Sequence, residues 1–392
     1  IKNAGQVAFE ATMAGTANGT LDAEGIFRGD GISLVQIMRA GNSVPGGNGE
    51  FNSSFSTSVV INAMGQVAFS TDLRNTSGGN SDNSGIYRSS ASGFSLTEIA
   101  REGQDLSTGD GQIGSVGLVN IAQNDAGHVA FFSALTGTTN NTAILIGDGT
   151  ELVTVAQEGQ PMAGSTITAL DFTRGELNRS GLNNRGQVVY EALLSNGQSV
   201  LNMWTPDLRW RESFSGDWDI ASRWTLGIAP GEVYDTFIDP DASLTVDVDT
   251  DVSARSLQIG GCNGIATLRL QIGRTATVLN GTTIQSTGIL TGDGTIAGDV
   301  ANSGTIQAQN VLVTGTLTNN GVLRGTGRVD AAIVNGVNGN IRANNGDVLQ
   351  LTGASLTNTG RIEVIDGELE VTAPVQNSAS TGLITGRDAI MR

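Results

Sequence analysis

One cysteine (Cys262), one histidine (His128) and one lysine (Lys2) are all that this chain of 392 residues holds of those three types. A single cysteine excludes an intramolecular disulfide, and Cys262 reads as a small buried hydrophobe. A single histidine leaves no room for clustered His and Cys zinc ligands, and Ser-His-Asp or Cys-His chemistry would depend on His128 alone. Basic residues are few, 21 against 38 acidic, for a net charge of -17. That balance excludes a nucleic-acid partner, which needs a basic face to displace counterions, and disfavours anionic membrane surfaces. No run of about 18 apolar residues exists to span a membrane. No segment sustains a 3.6-residue period, so almost no helix is expected.

What is abundant is glycine, 55 residues, set with Asn, Thr and Ser between short runs of Val, Ile, Leu and Phe. Many short strands joined by tight turns would produce this composition, so the fold class is read as all-β. Residues 2–9 read KNAGQVAF, 62–69 NAMGQVAF, 124–131 NDAGHVAF and 183–190 NNRGQVVY, which places the motif glycines at Gly5, Gly65, Gly127 and Gly186. The Asn-x-x-Gly supplies a turn with a positive-φ position, and Val-Ala-Phe enters a buried strand. A second strand follows at 25–28, 85–88 and 143–146, a third at 34–39, 96–101 and 152–157, and a further extended stretch (51–61, 113–121, 167–170) returns to the motif. Four strands per unit of about sixty residues fit a propeller blade better than a helical solenoid, so residues 1–209 are expected to form a propeller-like repeat domain. These units resemble repeats of large bacterial exported proteins, many of which end in PEP-CTERM-type sorting tails. The resemblance covers roughly residues 1–205 and implies export and surface association, with no chemistry attached.

All four tryptophans fall between residues 204 and 224. Residues 210–242 are read as a Trp-rich junction that caps the solenoid behind it, because aromatics bury large areas and an open solenoid end needs a cover. The alternative is a sugar-stacking platform at Trp210, Trp218 and Trp224.

From residue 243 to 392 apolar and small polar residues alternate, and the expectation is a right-handed parallel β-helix. Residues 288–306 (GILTGDGTIAGDVANSGTI) and 321–335 (GVLRGTGRVDAAIVN) suggest a 33-residue repeat that matches Leu290 to Leu323, Ile296 to Val329, Val300 to Ile333 and Asn302 to Asn335. Stacked rungs would give aliphatic columns inside and asparagine ladders at the corners. Residues 213–392 are similar to the passenger β-helices of bacterial autotransporters and related adhesins, although the chain holds no membrane barrel. Both ends fall inside repeats, as in a processed or partial protein.

Chemistry is sparse. His128 occupies the place of Gln6, Gln66 and Gln187, as a structural residue set by the repeat would. Gly-Asp-Gly at 29–31, 109–111, 147–149 and 292–294 reads as turn-forming, since no nucleotide-site spacing surrounds it. Carboxylate pairs suited to glycoside hydrolysis would arise by chance among so many acids. Asp247, Asp249 and Asp251, on one strand, would share a face and offer hard oxygens to calcium, against the alternative of a solvated face that discourages edge pairing. The function expected is therefore an extracellular structural or adhesive protein at the cell surface and not an enzyme. It would self-associate head to tail through open strand edges into a filament or matrix. An individually anchored carbohydrate-binding adhesin is the alternative, and a polysaccharide-active enzyme a third and weaker reading.

Overall fold

The computed structural model describes residues 5–53, 58–116, 121–172, 181–378, 381–387 and 389–392. Helix among them is limited to four short 3-10 turns, and every other element is a β-strand. The chain divides into two compact units, residues 1–205 and 206–392.

The first unit is a set of antiparallel sheets, one per repeat. Val7–Thr12, Glu24–Gly29 and Leu34–Arg39 form the first; Val67–Arg74, Ser84–Ser89 and Leu96–Arg101 the core of the second; Val129–Thr136, Thr142–Gly147 and Leu152–Gln157 that of the third. Ser165–Asp171, Val188–Leu194 and Ser199–Trp204 belong to the fourth. The extended stretch between repeats pairs with the motif strand that follows it, as Val59–Ile61 does with Val67–Arg74 and Ile121–Gln123 with Val129–Thr136. Residues 2–4 of the first motif, and residues 54–57 and 117–120 of the first and second return stretches, lie outside the described residues.

Successive sheets pack face to face, as propeller blades do. Ile26 and Met38 of the first share a core with Val67, Phe69 and Tyr87 of the second, and Ala68 and Ile86 of the second with Val129, Phe131 and Leu145 of the third. This explains why the motif strands lack the alternation of a half-exposed strand: Val67–Phe69 and Val129–Phe131 are covered on both faces.

The second unit is a parallel β-solenoid. Its strands from Leu208 to Met391 pair in parallel with strands one coil away. A coil spans 25 positions where Leu257 pairs with Thr282 and only 16 where Ile289 pairs with Thr305. Leu290, Ile306, Leu323, Ile341 and Ile362 stack in register as one interior column. The 33-residue repeat is thus two coils, not one, because successive coils alternate in sequence while keeping the same column. Val329 stacks on Val311 and not in register with Ile296, which pairs with Val313. Beside the aliphatic column runs a ladder, buried as far as Asn358, in which Asn302 donates to Asn319 (2.7 Å), Asn319 to Asn335 (2.7 Å), Asn335 to Asn358 (2.7 Å) and Asn358 to Asn377 (2.6 Å).

The Trp-rich segment 210–242 has no core of its own. Leu208, Trp210, Trp218, Trp224 and Tyr234 belong to the same cluster as the solenoid interior. Cys262 is exposed, contrary to its reading as buried. It sits in a turn between strands, where its side chain meets no column.

Candidate functional site

The residues with chemical potential in the first unit converge on the junctions between repeats. Each Asn-x-x-Gly turn is closed by its own asparagine. Asn62 Oδ1 accepts from the backbone N–H of Met64 (3.1 Å) and Gln66 (3.0 Å), while its Nδ2 donates to Gln66 Oε1 (2.7 Å). The same amide reaches the next turn, at the Asn124 carbonyl (2.9 Å), and Asn124 in turn reaches the Asn183 carbonyl (2.9 Å). Beside this line Asp125 accepts from Ala63 N–H (2.7 Å) and Asn184 Nδ2 (2.8 Å). His128 fits the pattern as a substitute glutamine. Asn124 Oδ1 accepts from His128 N–H (2.9 Å), which orients the amide so that Nδ2 donates to His128 Nδ1 (2.9 Å). The imidazole proton therefore sits on Nε2, and the ring is buried in a structural role.

A second set of contacts was not foreseen from the sequence. Arg28 reaches forward to the carbonyls of Gly65, Ala91 (2.6 Å) and Ser92 (3.1 Å) of the second repeat, and Arg88 to Gly127 of the third. Burial pulls the Arg88 guanidinium below its usual range, with Asp148 opposing. Asp110 accepts from Thr138 Oγ1 (2.7 Å), Asn140 Nδ2 (2.8 Å) and Gln157 Nε2 (3.0 Å), which hold its carboxyl below the usual range. Gly109-Asp110-Gly111 is thus an inter-repeat clasp. Asp30 and Asp148 do cap hairpin turns, each accepting two backbone N–H groups. The fourth Gly-Asp-Gly, 292–294, lies inside the strand Gly288–Ala297 and not in a loop.

A cleft of about 490 Å³ is lined by Glu98, Arg101, Glu102 and Glu151 among others. Glu98 accepts from Tyr87 Oη (3.2 Å) and Arg101 (3.4 Å), and Glu102 from Ser84 Oγ (2.8 Å). Burial, followed by the charge of Glu98, pushes the Tyr87 phenol up, so it remains a hydrogen-bond donor. Arg101 is further tied to the carbonyls of Asp82 (2.9 Å) and Asn48 (2.8 Å). These contacts hold the loop and the strand together.

The calcium set does not assemble. The strand bearing Asp247 ends at Val248, so Asp249 and Asp251 leave its face. Asp247 is held by Arg269 (2.5 and 2.7 Å), and Asp251 accepts from Thr275 N–H (2.9 Å). Among the described residues no three His, Cys, Asp or Glu side chains come together as metal ligands. The sugar platform fails on burial. Trp210, Trp218 and Trp224 are 4%, 2% and 0% exposed, and Trp224 meets the other two edge-on at 5.1 and 5.0 Å. Their faces cover the first coil and one another, which leaves none to stack on a sugar.

A family model matches residues 1–123 and again 112–205, and together these matches span the first unit. The chain belongs to that family, a family of unknown function (DUF7453). No curated protein matches the chain.

Proposed function

We propose that the protein is a non-catalytic structural or adhesive component of a bacterial cell surface or extracellular matrix, and that it assembles with itself. The observation carrying this reading is where the reactive side chains go. His128 is held by the asparagine of its own turn, while Asp110, Arg28, Arg88 and the solenoid asparagines are consumed in joining one repeat or coil to the next. A catalytic group must keep its acid, base or lone pair available to a substrate, and these groups do not. The acidic surface agrees with an extracellular role, since it keeps protomers apart until a specific contact forms.

Electron microscopy of the protein from its source, together with cell fractionation, tests the reading. Regular polymers in the surface or matrix fraction are expected, and they should survive a calcium chelator because the aspartate run is tied up by Arg269 and Thr275. Dispersed particles in the cytoplasmic fraction, or release of product from a polysaccharide, would sink it.

A further inference from the structure

Three loops carry the chain from one sheet of the first unit to the next, and their hydrogen bonds align them. Gly41 N–H meets the Phe51 carbonyl (2.9 Å), Gly103 N–H that of Ile113 (2.8 Å) and Gly159 N–H that of Ile167 (2.9 Å). Three residues before each acceptor stand Asn48, Asp110 and Gly164. Asn48 and Asp110 are each followed by a glycine at positive φ, Gly49 at +104° and Gly111 at +100°, where a Cβ would press on Thr76 and Thr138. Each of these two loops then pairs with the motif strand of the next sheet, Glu50–Phe51 with Val67–Arg74 and Gln112–Ile113 with Val129–Thr136. The receiving hairpins align as well, since Leu73 N–H meets the Asn83 carbonyl (2.6 Å) and Leu135 N–H that of Asn141 (2.7 Å). Asp82 and Asn140 therefore occupy one position, as do Arg101 and Gln157 at the ends of their strands.

On this common frame the side chains are exchanged. Between the first and second sheets the loop carries the amide and the hairpin the acid: Asn48 Nδ2 donates to Asp82 Oδ2 (2.8 Å), and Arg101 donates to the Asn48 carbonyl (2.8 Å). Between the second and third the loop carries the acid and the hairpin the amide. Asp110 accepts from Asn140 Nδ2 (2.8 Å) and Thr138 Oγ1 (2.7 Å), and Gln157 Nε2 reaches both the Asp110 carbonyl and its carboxylate (3.0 Å each). The third loop uses neither arrangement, because Gly164 has no side chain and the Ser165 and Ser195 hydroxyls meet instead (2.9 Å). The apolar faces differ far less, with Val67 and Phe69 at the first joint and Val129 and Phe131 at the second.

We propose that the side chain at positions 48 and 110, with its partners on the receiving hairpin, is a key that selects which repeat packs behind which. Asn48 suits the Asp82 hairpin and Asp110 the Asn140 hairpin. Asp110 set on an Asp82 hairpin would bring together two carboxylates, both charged at neutral pH. The backbone pairing of the loops is indifferent to sequence and the apolar faces are alike, so this contact supplies the discrimination. Chain connection favours the adjacent repeat. The key rejects the others, of the same molecule or of a second one, which is where repeat proteins misassemble. None of this depends on the self-assembly reading.

Double-mutant cycles in the full chain test the key, read by hydrogen exchange at the Leu73 and Leu135 amides that close the receiving hairpins. Asn48→Asp and Asp82→Asn should each raise local opening at Leu73 on the order of 10-fold, and the double variant should return to within about 3-fold of wild type. Asp110→Asn and Asn140→Asp should behave likewise at Leu135. Costs that simply add, at either joint, would overturn the proposal. Where a single variant fails to fold, recovery in the double variant reads the same coupling. The double variant Asn48→Asp with Asp82→Asn also gives both loops the same key, so either loop then suits either hairpin. Its native state should be stable, while refolding from urea should leave a larger share of misassembled chains than wild type does. Refolding as complete as that of wild type would overturn the selective role.

Discussion

The two units solve the same problem, joining one repeat to the next, with different bonds. In the first, backbone ladders run inside each sheet, and the faces of neighbouring sheets are joined by side chains: Arg28 and Arg88 on carbonyls, Asn62 and Asn124 on the following turn, and apolar residues between them. In the second, the backbone ladders themselves run from coil to coil. Side-chain coupling demands a particular residue at a particular place, so the sixty-residue motif stays recognisable along the chain. Backbone coupling demands only that alternate positions be aliphatic or asparagine. The solenoid sequence can therefore vary in coil length and residue identity, and the family match ends with the first unit.

Substitutions can break this comparison at graded cost. Trp224→Ala should have the largest effect, about 4 kcal/mol. It removes a fully buried ring that two other indoles lean on and whose Nε1 donates to the Trp218 carbonyl (2.7 Å). A fall in the urea midpoint of the second unit, followed by tryptophan fluorescence, checks it. Asn335→Ala should cost about 3 kcal/mol, because it leaves buried amides of Asn319 and Asn358 each short of a partner. A loss under about 1 kcal/mol would mean that the ladder adds little to the backbone bonds between coils.

In the first unit, Arg28→Met keeps the apolar stem and removes three donated hydrogen bonds, at a cost of about 1.5 kcal/mol. Hydrogen exchange should localise the loss to the strands between Val7 and Arg39, since among the described residues none of them pairs with a strand of the second sheet. Protection lost evenly across the unit would contradict side-chain coupling. His128→Gln restores the repeat's own residue and should change stability by no more than about 0.5 kcal/mol, whereas His128→Leu strands the Asn124 amide.

The smallest effect is one of pH. Asp235 lies below its ordinary value of 3.8, chiefly through its hydrogen bonds from Arg255, with desolvation opposing and Ser256 (2.5 Å) assisting. A depressed carboxyl contributes stability that is present above the unfolded value and lost as pH falls through the folded one. Arg255→Gln should therefore lower the urea midpoint at neutral pH, and the gap to wild type should close in acid. A gap that is constant with pH would remove the carboxylate from the explanation.

Much of the architecture was readable from residues alone. The motif glycines located the repeats, alternation located the coils, and Leu290 with Leu323 or Asn302 with Asn335 named true members of their columns. The 33-residue repeat spans two coils because there a coil resembles the one two before it in sequence and not its immediate neighbour. The aspartate run was misread because nothing local signals that the strand ends at Val248 or that Arg269 lies one coil on.

The sequence by itself determined the all-β class, the sixty-residue period and the tryptophan-rich segment, since each follows from composition or local spacing. Only the tertiary structure decided which contacts join the repeats. Arg28 and Gly65 are far apart along the chain, and the bulge that turns Ile37 toward Gly93 depends on pairing with another strand. Whether a surface is covered is a property of its neighbours in space.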